Sequence, residues 1–347
     1  ALRINKLKIK IILMVMSASL LSGGTPIEFG ISLTGGYDNN AMRFSTEEIN
    51  EAANEIGMMG GAKTFDSFIT KWGASAMKEI IIGQKKEMKF KGFFSSSDYR
   101  NTPDKKYWSG GTDLTYKWGS YKSIKYSLRH LDKFYLRHYV NRDVALADLA
   151  SCLFTDRNHA LTVTHRLSKF SWINVGAGYL QRYYAKPFTE FDLDIVYLKA
   201  KLNYRLKNIG SVAVQINQGV ASNISYSSQL RPSSFDRSYE TMELYFPFKI
   251  NKKLVIVNEI GVSLRTEFRA YDAEDSNDPL HSGRSHVDSK YDMWIKKKLT
   301  DEVSFTLSSR FRTRSTESEY EWVDDLKSFK QFQFWFNIEW DMIYDKY

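Results

Sequence analysis

Long stretches of this sequence alternate apolar and polar residues with a period of two, over segments of about 10–14 residues. In the last one, Phe332, Phe334, Phe336, Ile338, Trp340 and Met342 alternate with Gln331, Gln333, Trp335, Asn337, Glu339 and Asp341. An extended chain puts successive side chains on opposite faces, so one face here is greasy and the other wet. Upstream, Val303, Phe305, Leu307 and Phe311 oppose Ser304, Thr306, Ser308, Arg310, Arg312 and Arg314. Leu254, Ile256, Ile260, Val262, Leu264 and Phe268 oppose Glu259, Ser263, Arg265 and Glu267. Val196, Leu198, Ala200, Leu202, Tyr204 and Leu206 alternate with Lys199, Lys201, Asn203 and Arg205. Strands in soluble sheets average about 5–6 residues, so these segments are long.

The connections are short and long in turn. Short ones fall at 84–86, 119–120, 168–169, 207–209, 251–253 and 300–302. Long ones fall at about 37–69, 98–108, 139–157, 185–189, 223–237, 271–286 and 316–328, and they hold most of the Asp, Asn, Ser and Pro clusters. A soluble sandwich turns every 8–12 residues or so without that asymmetry. Short turns at one rim and long loops at the other define an antiparallel up-and-down transmembrane β-barrel, with periplasmic turns and extracellular loops. The rule places strands at 27–36, 70–83, 87–97, 109–118, 121–138, 158–167, 170–184, 190–206, 210–222, 238–250, 254–270, 287–299, 303–315 and 329–342. The count is fourteen, and an even count leaves both ends on the periplasmic side. Strand 121–138 is overlong and is expected to bend at Leu131–Asp132 or to stand above the membrane. Pro247 has no N–H to give a closed ladder, which points to a bulge or an early strand end.

Composition fits this reading. Aromatic residues make up 15% of the chain and hydrophobic residues 43%, too many for intrinsic disorder. The mean hydropathy is −0.41, and beyond the first two dozen residues no run of about 18 apolar residues could form a spanning helix. A closed barrel reconciles a polar average with lipid: backbone groups pair between strands, and polar side chains turn to a wet lumen. Aromatic rings on the outer face at strand ends form interfacial girdles, for which Tyr204, Phe246, Phe248, Tyr291, Phe329 and Trp340 are the candidates.

Residues 1–24 read as an export signal: Arg3, Lys6, Lys8 and Lys10, the apolar stretch Ile11–Leu21, then Ser22, Gly23 and Gly24. Removing these four basic residues lowers the formal net charge from +9 to +5, leaving residues 25–347 as a single barrel with a long first extracellular loop at about 37–69. The single cysteine, Cys152, permits no internal disulfide and reads as a packing residue.

The signal, the alternating strands and the aromatic final strand Phe332–Trp340 ending in Tyr347 together resemble bacterial outer-membrane β-barrel proteins. The resemblance covers nearly the whole mature chain. It implies a multi-pass barrel in the outer membrane, contact with outer-membrane lipid, and insertion by the barrel-insertion machinery, which reads a final strand with an aromatic last residue. Asp345 departs from that pattern, standing where an apolar residue is usual. Fourteen strands are similar to the size class of fatty-acid transporters and monomeric general porins, and no motif chooses between them.

Catalytic patterns are absent from the sequence: there is no Gly-x-Ser-x-Gly, His-Glu-x-x-His, phosphate-binding loop or dinucleotide fingerprint. Ser168 near His165 is the one conceivable hydrolase pair, and three residues apart on a strand they point to opposite faces. The acidic stretch Asp272, Glu274, Asp275 and Asp278 is a weak candidate for a divalent cation. The inward set says more. Lys199, Lys201, Arg205, Arg265, Lys296, Arg310, Arg312 and Arg314 should project into the lumen with Glu259, Glu267, Asp292, Glu339 and Asp341. Such charges solvate the wall and pair across strands, and an excess of Lys and Arg biases a pore toward anions. In the first loop, Ser45–Thr46–Glu47–Glu48–Ile49 begins a short amphipathic helix that could fold inward or lie outside.

The expectation is a passive channel or transporter for small solutes, with a mixed-charge lumen and a weak anion preference, no cofactor, no chemical step and no nucleic-acid partner. A non-conducting structural or assembly barrel presenting its loops to partners, and a barrel-embedded lipid hydrolase, are the alternatives.

Overall fold

The computed structural model describes residues 25–52, 54–141, 148–226, 235–251 and 256–344. The expected export signal, Asp345 and Tyr347 lie outside the described residues. Fourteen antiparallel strands run β1 (Ile27–Asp38), β2 (Ser67–Gly83), β3 (Lys86–Tyr99), β4 (Tyr107–Gly119), β5 (Lys122–Val140), β6 (Leu149–Arg166) and β7 (Ser171–Tyr184). They continue as β8 (Leu193–Leu206), β9 (Gly210–Asn223), β10 (Tyr239–Ile250), β11 (Glu259–Tyr271), β12 (Ser285–Lys298), β13 (Val303–Glu317) and β14 (Phe329–Tyr344). Each pairs with its sequence neighbours, and β1 pairs with β14 from Ile27↔Tyr344 to Asp38↔Gln333, which closes the barrel.

Period-two patterning fixes which face is which. On the outside, residues such as Leu33 and Leu198 are 56% and 66% exposed, and they belong to a band that includes Ile31, Val196, Ile216, Val262 and Met293. An apolar surface of that extent is a surface for lipid. Among the described residues no helix is long and apolar enough to cross a membrane, so the crossing is made by strands.

The structure corrects three details of the strand reading and bears out a fourth. β6 begins at Leu149 rather than 158, because inward Cys152 and Phe154 are apolar and pack within the mouth instead of meeting water, so the greasy and wet alternation fails there. β5 remains one strand, and it bends as expected: its pairing with β6 shifts between Leu131 and Phe134, with Lys133 at a φ of 46°. Pro247 makes no bulge. Pro247 pairs with Ser263 on one side, and on the other the register runs unshifted from Tyr245↔Gln215 to Phe248↔Val212, with the two positions between unpaired. Finally, β11 starts at Glu259, so Ile256 lies in the turn, and Leu254 lies outside the described residues.

Candidate functional site

Ladder register places all ten candidate selectivity residues on the lumenal face. Lys199, Lys201 and Arg205 share the inward face of β8, opposite Asn217, Gln215 and Ser211 of β9. On β11, Glu259, Arg265 and Glu267 lie opposite Lys296, Lys290 and Asp288 of β12. Arg310, Arg312 and Arg314 of β13 lie opposite Asp292, Lys290 and Asp288.

The triad on β13 is not a free basic ring, because β12 answers it. Arg310 Nε donates to Asp292 at 2.6 Å. Arg312 Nη2 lies 2.5 Å from Asp288 Oδ2, and Arg314 Nη2 reaches the same oxygen at 2.9 Å. Lys296 meets Glu339 at 2.8 Å, Arg265 meets Glu243 at 3.6 Å and Lys249 meets Glu259 at 3.4 Å. Glu79, Glu87, Asp113, Asp156 and Glu267 are likewise engaged, by Lys89, Lys117, Arg129, Arg182 and Arg269. Inward Lys71, Lys91, Lys125, Lys199, Lys201 and Lys290 have no ion-pair partner among the described residues. Lys201 sits instead over the ring of Tyr245, 5.8 Å from its centroid. At the periplasmic rim the inward carboxylates Glu28 and Asp341 also have no ion-pair partner among the described residues.

The first loop resolves its open question by folding inward. Helix α1 (Thr46–Ala52) starts with a reciprocal capping box: Glu48 N–H donates to Ser45 Oγ at 3.1 Å, and Ser45 N–H donates to Glu48 Oε2 at 3.0 Å. Met42, Phe44, Ala52 and Met59 form a buried cluster with Tyr135 of β5, and Tyr135 and Phe44 are essentially sealed. A ring such as Phe44 contributes about 2–3 kcal/mol when buried in this way. Arg137 of β5 pairs with Glu48 and donates to the carbonyls of Met42 (3.2 Å) and Arg43 (2.8 Å). In the second loop, Lys105 Nζ donates to the carbonyl of Ala41.

This insertion brings more cations into the mouth. Burial, with repulsion from Arg312 and Arg314, lowers Arg43 to about 9. Burial, with repulsion from Arg43, Arg312 and Arg137 against the pull of Asp38, lowers Lys105 to about 7. Helix α2 (Glu321–Lys327), in the last loop, adds Lys327, lowered to about 8 by burial and by Arg137.

Of the girdle candidates, Tyr204, Phe246, Tyr291 and Trp340 are exposed on the outer face, and Phe248 shares that face. Tyr291 stands in the middle of β12, beside Phe311, rather than at a strand end. Phe329 is a correction: it has the parity of Gln331 and Gln333, points inward, and is 7% exposed beneath the guanidinium groups of Arg312 and Arg314. Ser168 bonds Ser171 Oγ at 2.7 Å in a periplasmic turn, while His165 belongs to the outer face of β6, so the two do not meet. Asp278 is taken up by His281 at 2.7 Å, and among the described residues no three His, Cys, Asp or Glu side chains converge to hold a metal.

Asp288 and Lys290 escaped the sequence reading although they share the parity of Asp292, two and four residues along β12. Arg43, Lys105 and Arg137 carried no such signal, since loop and bulge positions have no period.

The fourteen strands thus form a closed, even-stranded barrel with an apolar exterior, a charged interior and rims of short turns and long loops. The architecture is that of an outer-membrane β-barrel. No protein-family model matches the sequence, and no curated protein matches it. Solved structures similar to it include a loop L8 deletion mutant of OmpT, an outer membrane protein of Vibrio cholerae, at a TM-score of 0.45 and 9% identity, covering 92% of this chain and 100% of that one. Acinetobacter baumannii OccAB4 is similar at 0.44 and 8%, over 92% and 99% of the two chains. The outer membrane protein OpdK of Pseudomonas aeruginosa gives 0.43 and 8%, over 92% and 99%.

Proposed function

We propose that this chain is a passive outer-membrane channel for small solutes in which anions are favoured. The observation that carries the reading is the charge asymmetry of the wall: most lumenal carboxylates are engaged by Arg or Lys, whereas Lys71, Lys91, Lys125, Lys199, Lys201 and Lys290 are left without carboxylate partners among the described residues. Paired charges cancel at a distance, and unpaired ammonium groups on low-dielectric walls raise the local concentration of anions. In this reading residues 1–24 direct export, and residues 25–347 are inserted as one barrel.

The inserted first loop favours a second reading, a barrel stoppered at its extracellular half and used as a scaffold. Single-channel recording in planar bilayers decides between them. Steady current with a reversal potential on the anion side supports the channel, and silence from correctly folded protein supports the scaffold.

A further inference from the structure

A cavity of about 410 Å³ is lined by the extracellular ends of β5, β7, β8 and β10–β13 and by the loops at 185–192 and 272–284. That is the size of a small-ligand site. Its wall combines three chemistries, and each narrows the occupant.

The first is cationic. Arg284 lies 3.9 Å over the Tyr271 ring and Arg269 lies 4.0 Å over Tyr239. A guanidinium held over a ring face is steadied there and can still offer N–H groups for bidentate contact with a carboxylate. Arg269 is matched by Glu267, and Arg314 shares the single Asp288 with Arg312. Arg284 and Lys327 have no carboxylate partner among the described residues, so the cavity is short of negative charge. Moreover, the Nε of Arg284 and the Nε2 of His286 are buried with no hydrogen-bond partner among the described residues, in side chains of residues only 8% and 4% exposed. Buried polar atoms left unpaired are costly, and an oxygen-rich ligand relieves that cost once the side chains turn to it.

The second chemistry is a wall of rings, in which Phe191 carries the Arg237 guanidinium 4.5 Å from its centroid and the buried Phe188 backs the half-buried Tyr139 and Tyr184. Phe188 and Phe191 stack at 5.8 Å and 6°, Tyr184 meets Phe191 edge-on at 5.5 Å, and Tyr139 meets Phe188 at 6.0 Å. The third is a set of groups suited to hydroxyls: Glu190, the Asp278–His281 pair and the phenol oxygens of the lining tyrosines.

A simple aromatic acid would satisfy the cations and rings but leave Glu190 and Asp278 facing an apolar edge. A neutral sugar would use the rings and carboxylates but leave Arg284 and Lys327 uncompensated. Only a hydroxylated ring that carries a carboxylate answers all three walls. We propose that this cavity binds a uronic acid, with its carboxylate at Arg284 and Lys327, its C–H face against the half-buried rings of Tyr139 and Tyr184 and its hydroxyls at Glu190 and Asp278. The proposal deepens the channel reading by naming the class of anion, and it rests on that reading only for the route of entry.

The test is calorimetric titration of the full chain in detergent with D-galacturonate, D-galactose and benzoate, with heat-modifiable gel mobility reporting the folded barrel. Saturable galacturonate binding is expected, with galactose and benzoate at least about tenfold weaker, a difference of about 1.4 kcal/mol. Arg284→Gln should weaken galacturonate by a similar factor, and Lys327→Met provides a second variant should Arg284→Gln fail to fold. Galactose or benzoate binding within tenfold of galacturonate, or parental affinity in both folded variants, overturns the proposal. Current without galacturonate binding discards the site and keeps the channel, whereas binding to a silent barrel keeps the site and discards the channel.

Discussion

The side-chain amide of Gln331 donates to both carboxylate oxygens of Asp38 at 2.9 Å, joining residues 293 positions apart at the extracellular end of the β1–β14 seam. Gln333 adds a third bond at 2.8 Å, and the Asn40 N–H a fourth at 3.0 Å. Asp38 is fully buried and Gln331 nearly so, so this hub both closes the barrel and starts the first loop on its inward course. Asp38→Ala leaves the two amides without their acceptor, and unfolding in vesicles should show a loss of about 3 kcal/mol. Asp38→Asn, which keeps one acceptor oxygen, should lose less. Equal urea midpoints for the two variants would refute the hub.

Barrel architecture was readable because lipid and water face each other across one strand, so the final strand's Phe332, Phe334 and Phe336 and its Gln331 and Gln333 could have only one arrangement. Legibility failed where that contrast fails. Inward Cys152 and Phe154 pack against protein, so their segment did not look like a strand. Phe329 was assigned by residue type rather than parity, and a ring can equally serve as a platform for cations. The charges of the lumen were readable one strand at a time, but their pairing depends on register. Asp288, which bridges Arg312 and Arg314, lies 24 and 26 residues from them. The cations of the mouth lie in loops, where burial is decided by tertiary packing alone.

Arg137 fastens the inserted loop through Glu48 and two carbonyls, and both side chains of the pair are largely buried, at 14% and 6% exposure. Arg137→Ala leaves a buried carboxylate without its cation, a change worth about 3–5 kcal/mol. That exceeds what the short helix α1 can hold by its capping box. The loop, still held by the Phe44 cluster and by Lys105, should therefore leave the lumen for a larger share of the time while the strands stay paired. Larger single-channel conductance and faster protease cleavage within 39–66 are the expected readouts, with an unchanged β-sheet circular dichroism signal. Parental conductance in a folded Arg137→Ala barrel would show that the loop is not held this way.

Loop docking should also depend on pH. Lys105 is lowered from 10.5 to about 7 by burial and by its cationic neighbours Arg43, Arg312 and Arg137. A lysine with a lowered value binds fewer protons when docked than when released, so docking strengthens as pH rises between about 7 and 10.5, by up to about 1.4 kcal/mol per pH unit, and is at its weakest and independent of pH below about 7, where both states hold the proton. Arg43, lowered to about 9, acts in the same direction at the top of that window. A fluorophore on Glu51→Cys, an exposed position of α1, should report tighter docking from pH 7 to pH 9. Lys105→Met should flatten the response across that range, and the same titration with and without Lys105 would exclude this lysine as its source.

Selectivity separates paired from unpaired charge. Lys199 and Lys201 face the lumen with no carboxylate partner among the described residues, whereas Arg310 is joined to Asp292 at 2.6 Å. Lys199→Gln with Lys201→Gln removes two uncompensated charges, and in a potassium chloride gradient the anion-to-cation permeability ratio should fall roughly two- to fivefold at low salt. Arg310→Ser combined with Asp292→Ser removes one charge of each sign and should leave the reversal potential where it was. Raising the salt shortens the range of both fields, so the shift from the lysine variant should shrink while the pair variant stays flat. An equal shift from both variants would mean that selectivity follows pore width or local wetting rather than the unpaired lysines.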